Sequence, residues 1–401
     1  MSDLNFKADR FSSEEIGEAV RWRHHLHEHP ELAFEERETA DFVARLLGQW
    51  GLSVHSGLGG TGVVGTLSRG TSRRTIALRA DMDALPIAEE TSAPYASRIP
   101  GRMHACGHDG HMAMLLAAAR ACSRDPDLDG TAHFIFQPAE ENGGGALKMI
   151  EDGLFSRFPS DRVFGLHNWP AIEMGACVAR GEAMMAASGM FEIVVAGRGS
   201  HGAMPEEGID PIPATCAIVS ALQTIVSRNV SPLEAAVVSV TQIQAGDTWN
   251  VIPQTSIVRG TTRWFNEGVG STLETKIRSL VTSIAEGFGC KADLSYAHRF
   301  PATINNANEA AMVRRVAAGP TLNLKVHDAA PSMAAEDFAY MLQAVPGCYF
   351  WLGSRKTGDN PVLHSPRFDF NDAILGLGAQ FWVHLVREAL SSAAHITGLH
   401  N

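Results

Sequence analysis

Four short stretches concentrate the side chains that can bind a metal or move a proton. The densest is His104-Ala105-Cys106-Gly107-His108-Asp109-Gly110-His111. Thiolate and imidazole are the preferred ligands of borderline cations such as zinc. The two glycines free the backbone to turn several side chains toward one point. A histidine-rich surface turn has the same composition, so this stretch alone leaves both readings open. The second is Gln137-Pro138-Ala139-Glu140-Glu141, directly after the apolar run TAHFIFQ. Adjacent carboxylates point in different directions, so one can hold a metal while the other faces substrate. Most such pairs are solvated helix starts. This one is singled out by its place at a strand end, where α/β sheets gather ligands and catalytic groups. The third is His167 in Gly165-Leu166-His167-Asn168-Trp169-Pro170, and the fourth is His364 in Leu363-His364-Ser365-Pro366. Asp81 and Asp83 follow the run TIALRA. Carboxylates there either orient a metal-bound imidazole from behind or cap a turn. His201 lies in Gly197-Arg198-Gly199-Ser200-His201-Gly202, a glycine-flexed loop without the full dinucleotide fingerprint.

These residues need elements to carry them. Ser12 to about Glu28 reads as a helix, capped by Ser12 or Ser13 and ending before His29-Pro30. ETADFVARLLGQW reads as a second helix, stopped by Gly51. TGVVGTLSR and TIALRADMD read as strands, HMAMLLAAARACSRD as a helix, and TAHFIFQP and RVFGLHNWP as strands flanking the helical ALKMIEDGLF. This alternation predicts an α/β fold, a mixed and mostly parallel sheet covered by helices. From about residue 184 the order becomes strand-helix-strand-strand-helix-strand, the pattern of a ferredoxin-like α+β unit. The expected domains are 1–183 plus 299–401, carrying the metal-ligand candidates, and an inserted 184–298.

The composition narrows the partners. A formal net charge of −11 suits neither a phosphate backbone nor an anionic membrane surface, so nucleic acid and membrane are excluded as partners. The start MSDLNFKADRFSSEE lacks the basic end and apolar run of a signal peptide, and a cytoplasmic location is the expectation. Cys106, Cys122, Cys177, Cys216, Cys290 and Cys348 are scattered without a CxxC pair. Five are expected to be small buried fillers, with Cys106 the exception among its histidines.

Taken together, these motifs resemble the hippurate hydrolase family of metallo-amidohydrolases, which includes hippurate hydrolases, N-acyl-L-amino acid amidohydrolases and indole-acetyl-amino acid hydrolases. The likeness runs nearly end to end, through RHHLHEHPELAFEE, ALRADMDALPI, MHACGHDGHMAML, FIFQPAEE, GLHNWP, GRGSHGAMP, NVIP, GTTRWF, AEDFAYM and LHSPRFDFND. It implies a zinc-exopeptidase-like catalytic domain with an inserted lid and dimerisation domain. It implies two divalent ions per subunit, zinc or manganese with cobalt or nickel also accepted, held by Cys106, His108, Glu141, His167 and His364, with Asp81 supporting them. Glu140 would be the general base. His201 would polarise the scissile carbonyl; in relatives this histidine can come from a partner subunit, which implies a homodimer or higher homo-oligomer. Asn250 and Arg263 match positions that hold a substrate carboxylate. The implied activity is hydrolysis of small N-acyl amino acids by a metal-activated water, with a dinuclear exopeptidase acting on unblocked dipeptides as the alternative. Glu206, where many relatives have histidine, and Trp249, where small residues are usual, depart from the pattern and bear on substrate choice.

Overall fold

Four apolar strands, Gly130–Gln137, Thr75–Asp81, Val163–Glu173 and Gly347–Arg355, lie side by side and parallel at the centre of an eight-stranded sheet. The computed structural model describes residues 11–141 and 143–391. Nearly every residue of Thr75–Asp81 and Gly347–Arg355 is buried, which requires cover on both faces. Antiparallel Gly62–Arg69 and Ser53–Leu58 finish one edge, and the short Ala176–Val178 and Lys325–Val326 finish the other. The sheet is thus mixed and mostly parallel, as its strand sequences predict. It belongs to a unit formed by the described residues up to Met184, Ile304–Ala330 and those from Asp337 on.

Helix Ser13–Glu28 starts with a reciprocal capping box between Ser12 and Glu15 and ends at His29. Helix His108–Ser123 is buried around almost its whole circumference and packs against Leu375–Leu390. A charged cluster fastens these elements together. Arg23 is fully buried and bonds Asp109 at 2.8 Å and Asp369 at 2.6 Å, while His27 Nδ1 meets Asp109 at 2.8 Å. Burial opposes a charge on either partner. The Arg23 and His27 cations nevertheless hold Asp109 well below the usual carboxylate range, and Asp109 with Glu89 lifts His27 to about 9. A raised histidine stabilises the fold fully below its unfolded value near 6.5, and that stability is lost as pH climbs through 9. The melting temperature is therefore expected to fall across that window, and calorimetry should find a flatter slope in His27→Gln.

The second unit, Met185–Thr303 with Pro331–Glu336, holds a four-stranded antiparallel sheet. Its order is Ala236–Ala245, Thr255–Trp264, Ala187–Ala196, Lys291–Phe300, which is the ferredoxin-like arrangement. Burial alternates strictly along Thr255–Trp264, so one face is covered. Helices Pro211–Asn229 and Glu267–Gly287 supply the cover, capped by Asp210 and Asn266.

Among the described residues no helix is long and apolar enough to cross a membrane. All six cysteines are free thiols. One expectation is corrected: Cys216 is exposed rather than a buried filler, because it falls on the outer side of helix Pro211–Asn229.

Candidate metal centre

The Cys106 loop is shaped by what its glycines leave out. Gly107 has φ of 92°, and a Cβ there would run into the Asn168 side chain. Gly110 lies inside the helix, where a Cβ would strike the Phe370 ring. His108 is the first helical residue and follows directly on the Gly107 turn. His364, itself at φ of 64°, donates its backbone N–H to Ala105 at 2.8 Å, which pins the C-terminal loop beside Cys106. His167 comes from strand Val163–Glu173, and Glu140 and Glu141 follow the end of Gly130–Gln137.

The five residues proposed as ligands meet. Donor atoms of Cys106, His108 and His167 lie within 4.8 Å of one another, and so do those of Cys106, Glu141 and His364. His108, Glu140 and Glu141 form a third such group, so the sets overlap at Cys106, His108 and Glu141. His167 donates Nδ1–H to the Asn168 carbonyl at 2.6 Å, which leaves Nε2 facing Cys106 Sγ at 3.3 Å. His108 donates Nδ1–H to the Asp83 carbonyl at 2.8 Å, and its buried Nε2 has no hydrogen-bond partner among the described residues. Fixing one imidazole nitrogen on an oxygen in this way presents the other as a ligand. His364 Nε2 lies 3.1 Å from Glu141 Oε1.

The electrostatics favour a cation. Burial pushes the Cys106 thiol well above its ordinary value, and the charges of Glu141, Glu140 and Asp81 add to that. Burial works against a charge on His108, yet Asp81, Asp83 and Glu141 outweigh it and lift the imidazole to about 10. His167 is held well below the ordinary range by burial and by His111. Positive charge placed among these groups relieves several unfavourable interactions at once.

Other predicted residues fall as follows. Asp81 is fully buried and bonds His111 Nδ1 at 2.6 Å and Arg79 at 2.7 Å, while His108 Nε2 is 3.7 Å away. The group behind His108 is Asp83, through its carbonyl, and Asp83 also accepts the Glu141 backbone N–H at 3.0 Å. In the second unit, strand Val251–Ile252 pairs with Ser200–His201, and Gly202 N–H donates to the Asn250 carbonyl at 2.8 Å, so Asn250 is the neighbour of His201. His201 Nδ1 accepts the Ala203 N–H at 3.1 Å, which leaves Nε2 as the protonated, donating nitrogen. Arg263 is half-buried, and among the described residues no acidic side chain pairs with it. Burial alone lowers its pKa.

Two contributors escaped the sequence reading. His111 accepts the Asn168 N–H on Nε2 at 3.0 Å and donates to Asp81, tying its helix to strands Thr75–Asp81 and Val163–Glu173. Its spacing of three from His108 on one helix was the available signal. Asn168 was quoted only as the neighbour of His167.

The chain is similar to known proteins along most of its length. Residues 77–388 match the profile described as Peptidase family M20/M25/M40. The N-acetyl-L-cysteine deacetylase of Bacillus subtilis strain 168 is 40% identical over 92% of this chain and 88% of its own length. The hippurate hydrolase of Campylobacter jejuni is 40% identical over 93% of this chain and 97% of its own. The crystal structure of the Bacillus subtilis YXEP protein, described as a dinuclear metal-binding peptidase, superposes with a TM-score of 0.81 at 33% identity, covering 94% of this chain and 98% of that one.

Proposed function

This chain belongs to peptidase family M20/M25/M40, and from that premise we propose that it cleaves the amide bond of small N-acyl amino acids with a water activated at two divalent ions. The observation that carries the reading is the overlap of three donor groups that bring together Cys106, His108, His167, Glu141 and His364, with Glu140 among them. The substrate class is supported by relatives that share 40% of their residues along nearly the whole chain and are named for deacetylating N-acetyl-L-cysteine or hydrolysing hippurate.

The residues fit a metal pair. His108 Nε2 is buried without a hydrogen-bond partner among the described residues, and the donor set mixes sulfur, nitrogen and oxygen. Zinc suits the thiolate and the imidazoles; manganese, cobalt and nickel are accepted by such mixed sets. When bound, the ions lower the pKa of a water and draw charge from a carbonyl oxygen. Glu140 takes the proton from the attacking water and passes it to the leaving amine. His201, with its donating Nε2–H, hydrogen-bonds the carbonyl oxygen as charge develops there. Arg263, a guanidinium without an acidic partner among the described residues, binds the substrate carboxylate through its planar fork, and Asn250 assists. A homodimer working in the cytoplasm completes the reading, supported by the family resemblance.

The test is a panel of N-benzoyl, N-acetyl and indole-acetyl amino acids, with unblocked dipeptides alongside, given to metal-reconstituted protein. Turnover of the blocked substrates is expected. Turnover of the dipeptides alone would favour the exopeptidase reading, to which the peptidase description of the YXEP protein lends support. His201→Ala is expected to lower kcat by ~10²–10³-fold with metal content unchanged, as read by elemental analysis; loss of metal would reassign His201 as a ligand.

A further inference from the structure

The segment that carries Glu140 and Glu141 is gripped through its backbone. Three of its amides donate to buried carboxylates from separate parts of the chain. Ala139 N–H reaches Glu36 Oε1 at 2.8 Å, Glu141 N–H reaches Asp83 Oδ2 at 3.0 Å, and Ala146 N–H reaches Asp337 Oδ2 at 2.9 Å. Gly143 and Gly145 close back on its start. The Ala139 carbonyl accepts from both Gly143 and Gly145 at 3.1 Å, and a Cβ on Gly145 would overlap the Pro138 carbonyl.

Ala139 is the pivot. It sits at φ of 53°, in the left-handed region. That conformation is unfavourable for a residue with a Cβ, so something must hold it. Rotation there would swing the two carboxyls that follow. Glu36 provides the hold on its amide. It is completely buried, and its second oxygen accepts the Thr61 hydroxyl at 2.7 Å. Asp83 faces His108, and Asp337 faces Arg79. Glu36 has no cationic partner among the described residues. A carboxyl buried without a cation is costly: burial raises Glu36 to about 7 in spite of the bonds from Thr61 and the backbone. Packing alone would be better served by an apolar side chain.

We propose that Glu36 is a positioning residue for the reaction: by accepting the Ala139 amide it fixes the left-handed turn that aims Glu140 and Glu141 at His108. The proposal rests on the roles given to Glu140 and Glu141 above.

Four variants test it in the cobalt-loaded enzyme, with kcat, KM and cobalt affinity by chelator competition all measured. Glu36→Leu removes both acceptors and is expected to lower kcat by roughly 10²-fold, the size of effect produced by an ångström-scale misplacement. KM should change little and cobalt should bind more weakly, because Glu141 is displaced. Glu36→Gln keeps an oxygen for the Ala139 amide and should return kcat to within a few-fold of wild type. Adding Ala139→Gly to Glu36→Leu should recover part of the loss, since glycine takes the turn without cost. Thr61→Val, isosteric and compatible with folding, should lower kcat several-fold by loosening Glu36. Wild-type kcat and cobalt affinity in a folded Glu36→Leu would overturn the proposal. So would a Glu36→Gln as damaged as Glu36→Leu, an Ala139→Gly that rescues nothing, or an unchanged kcat in Thr61→Val if Glu36→Leu does not fold. A wild-type enzyme inactive on the whole panel would remove the functional reading instead, and cobalt affinity would still report whether the turn had moved.

Discussion

A Glu140→Gln enzyme is expected to carry its full complement of divalent metal and to turn over ~10²–10⁴-fold more slowly than wild type. Glutamine has the shape and most of the polarity of the residue it replaces. Glu140 is buried, with 7% of its surface exposed, and belongs to the group with His108 and Glu141. An amide there can still hydrogen-bond but cannot accept a proton from water at neutral pH. The loss should therefore fall on kcat, with KM and metal content near normal. Glu141→Gln is the contrasting case, because its carboxylate groups with His364 and the Cys106 thiol in the proposed ligand set. Metal should be lost there together with activity. Full turnover in Glu140→Gln would mean that another group takes the proton.

Complete chelation should abolish activity, and a divalent ion added back should restore it. The loss should be total, because the water would be left with no group to lower its pKa. The same treatment should lower the melting temperature, since a ligand at 1,000 times its dissociation constant stabilises a fold by about 4 kcal/mol. The pH dependence follows from the site. Cys106, held well above the ordinary thiol range, and His108, lifted to about 10, must both give up protons to bind metal. Affinity should thus rise with pH, and chelators should strip the ions more readily at pH 6 than at pH 8. Activity that survives exhaustive chelation would end the metal-centred account.

Where the chemistry was carried by residue type and strand-end position, it could be read from the sequence. Cys106, His108, Glu141, His167 and His364 come from four separate stretches, which lie at the start of a helix, after a strand, within a strand and in a loop. The ferredoxin-like unit was equally plain, because a half-covered sheet writes its alternation into every strand. Contacts made through the backbone left no such trace. The carbonyl of Asp83 that orients His108 and the amide of Ala139 that Glu36 accepts have no signature in a string of side chains. His104 shows the opposite failure. It opens the densest motif, yet it is buried with neither ring nitrogen bonded among the described residues, and burial holds it down to about 4. Residue type could not separate it from His108, four positions away.

The place of Gly347–Arg355 in the larger sheet has a consequence for how the protein is made. This strand pairs with Val163–Glu173, which leaves the ribosome roughly 170 residues earlier. At cellular synthesis rates the wait is roughly 10–35 s. During that time a long apolar strand edge has no neighbour, which is the kind of surface that invites pairing with another chain. His364, which joins the metal group, emerges later still. Until Gly347–Arg355 has been made, the nascent protein depends on whatever shields that open edge.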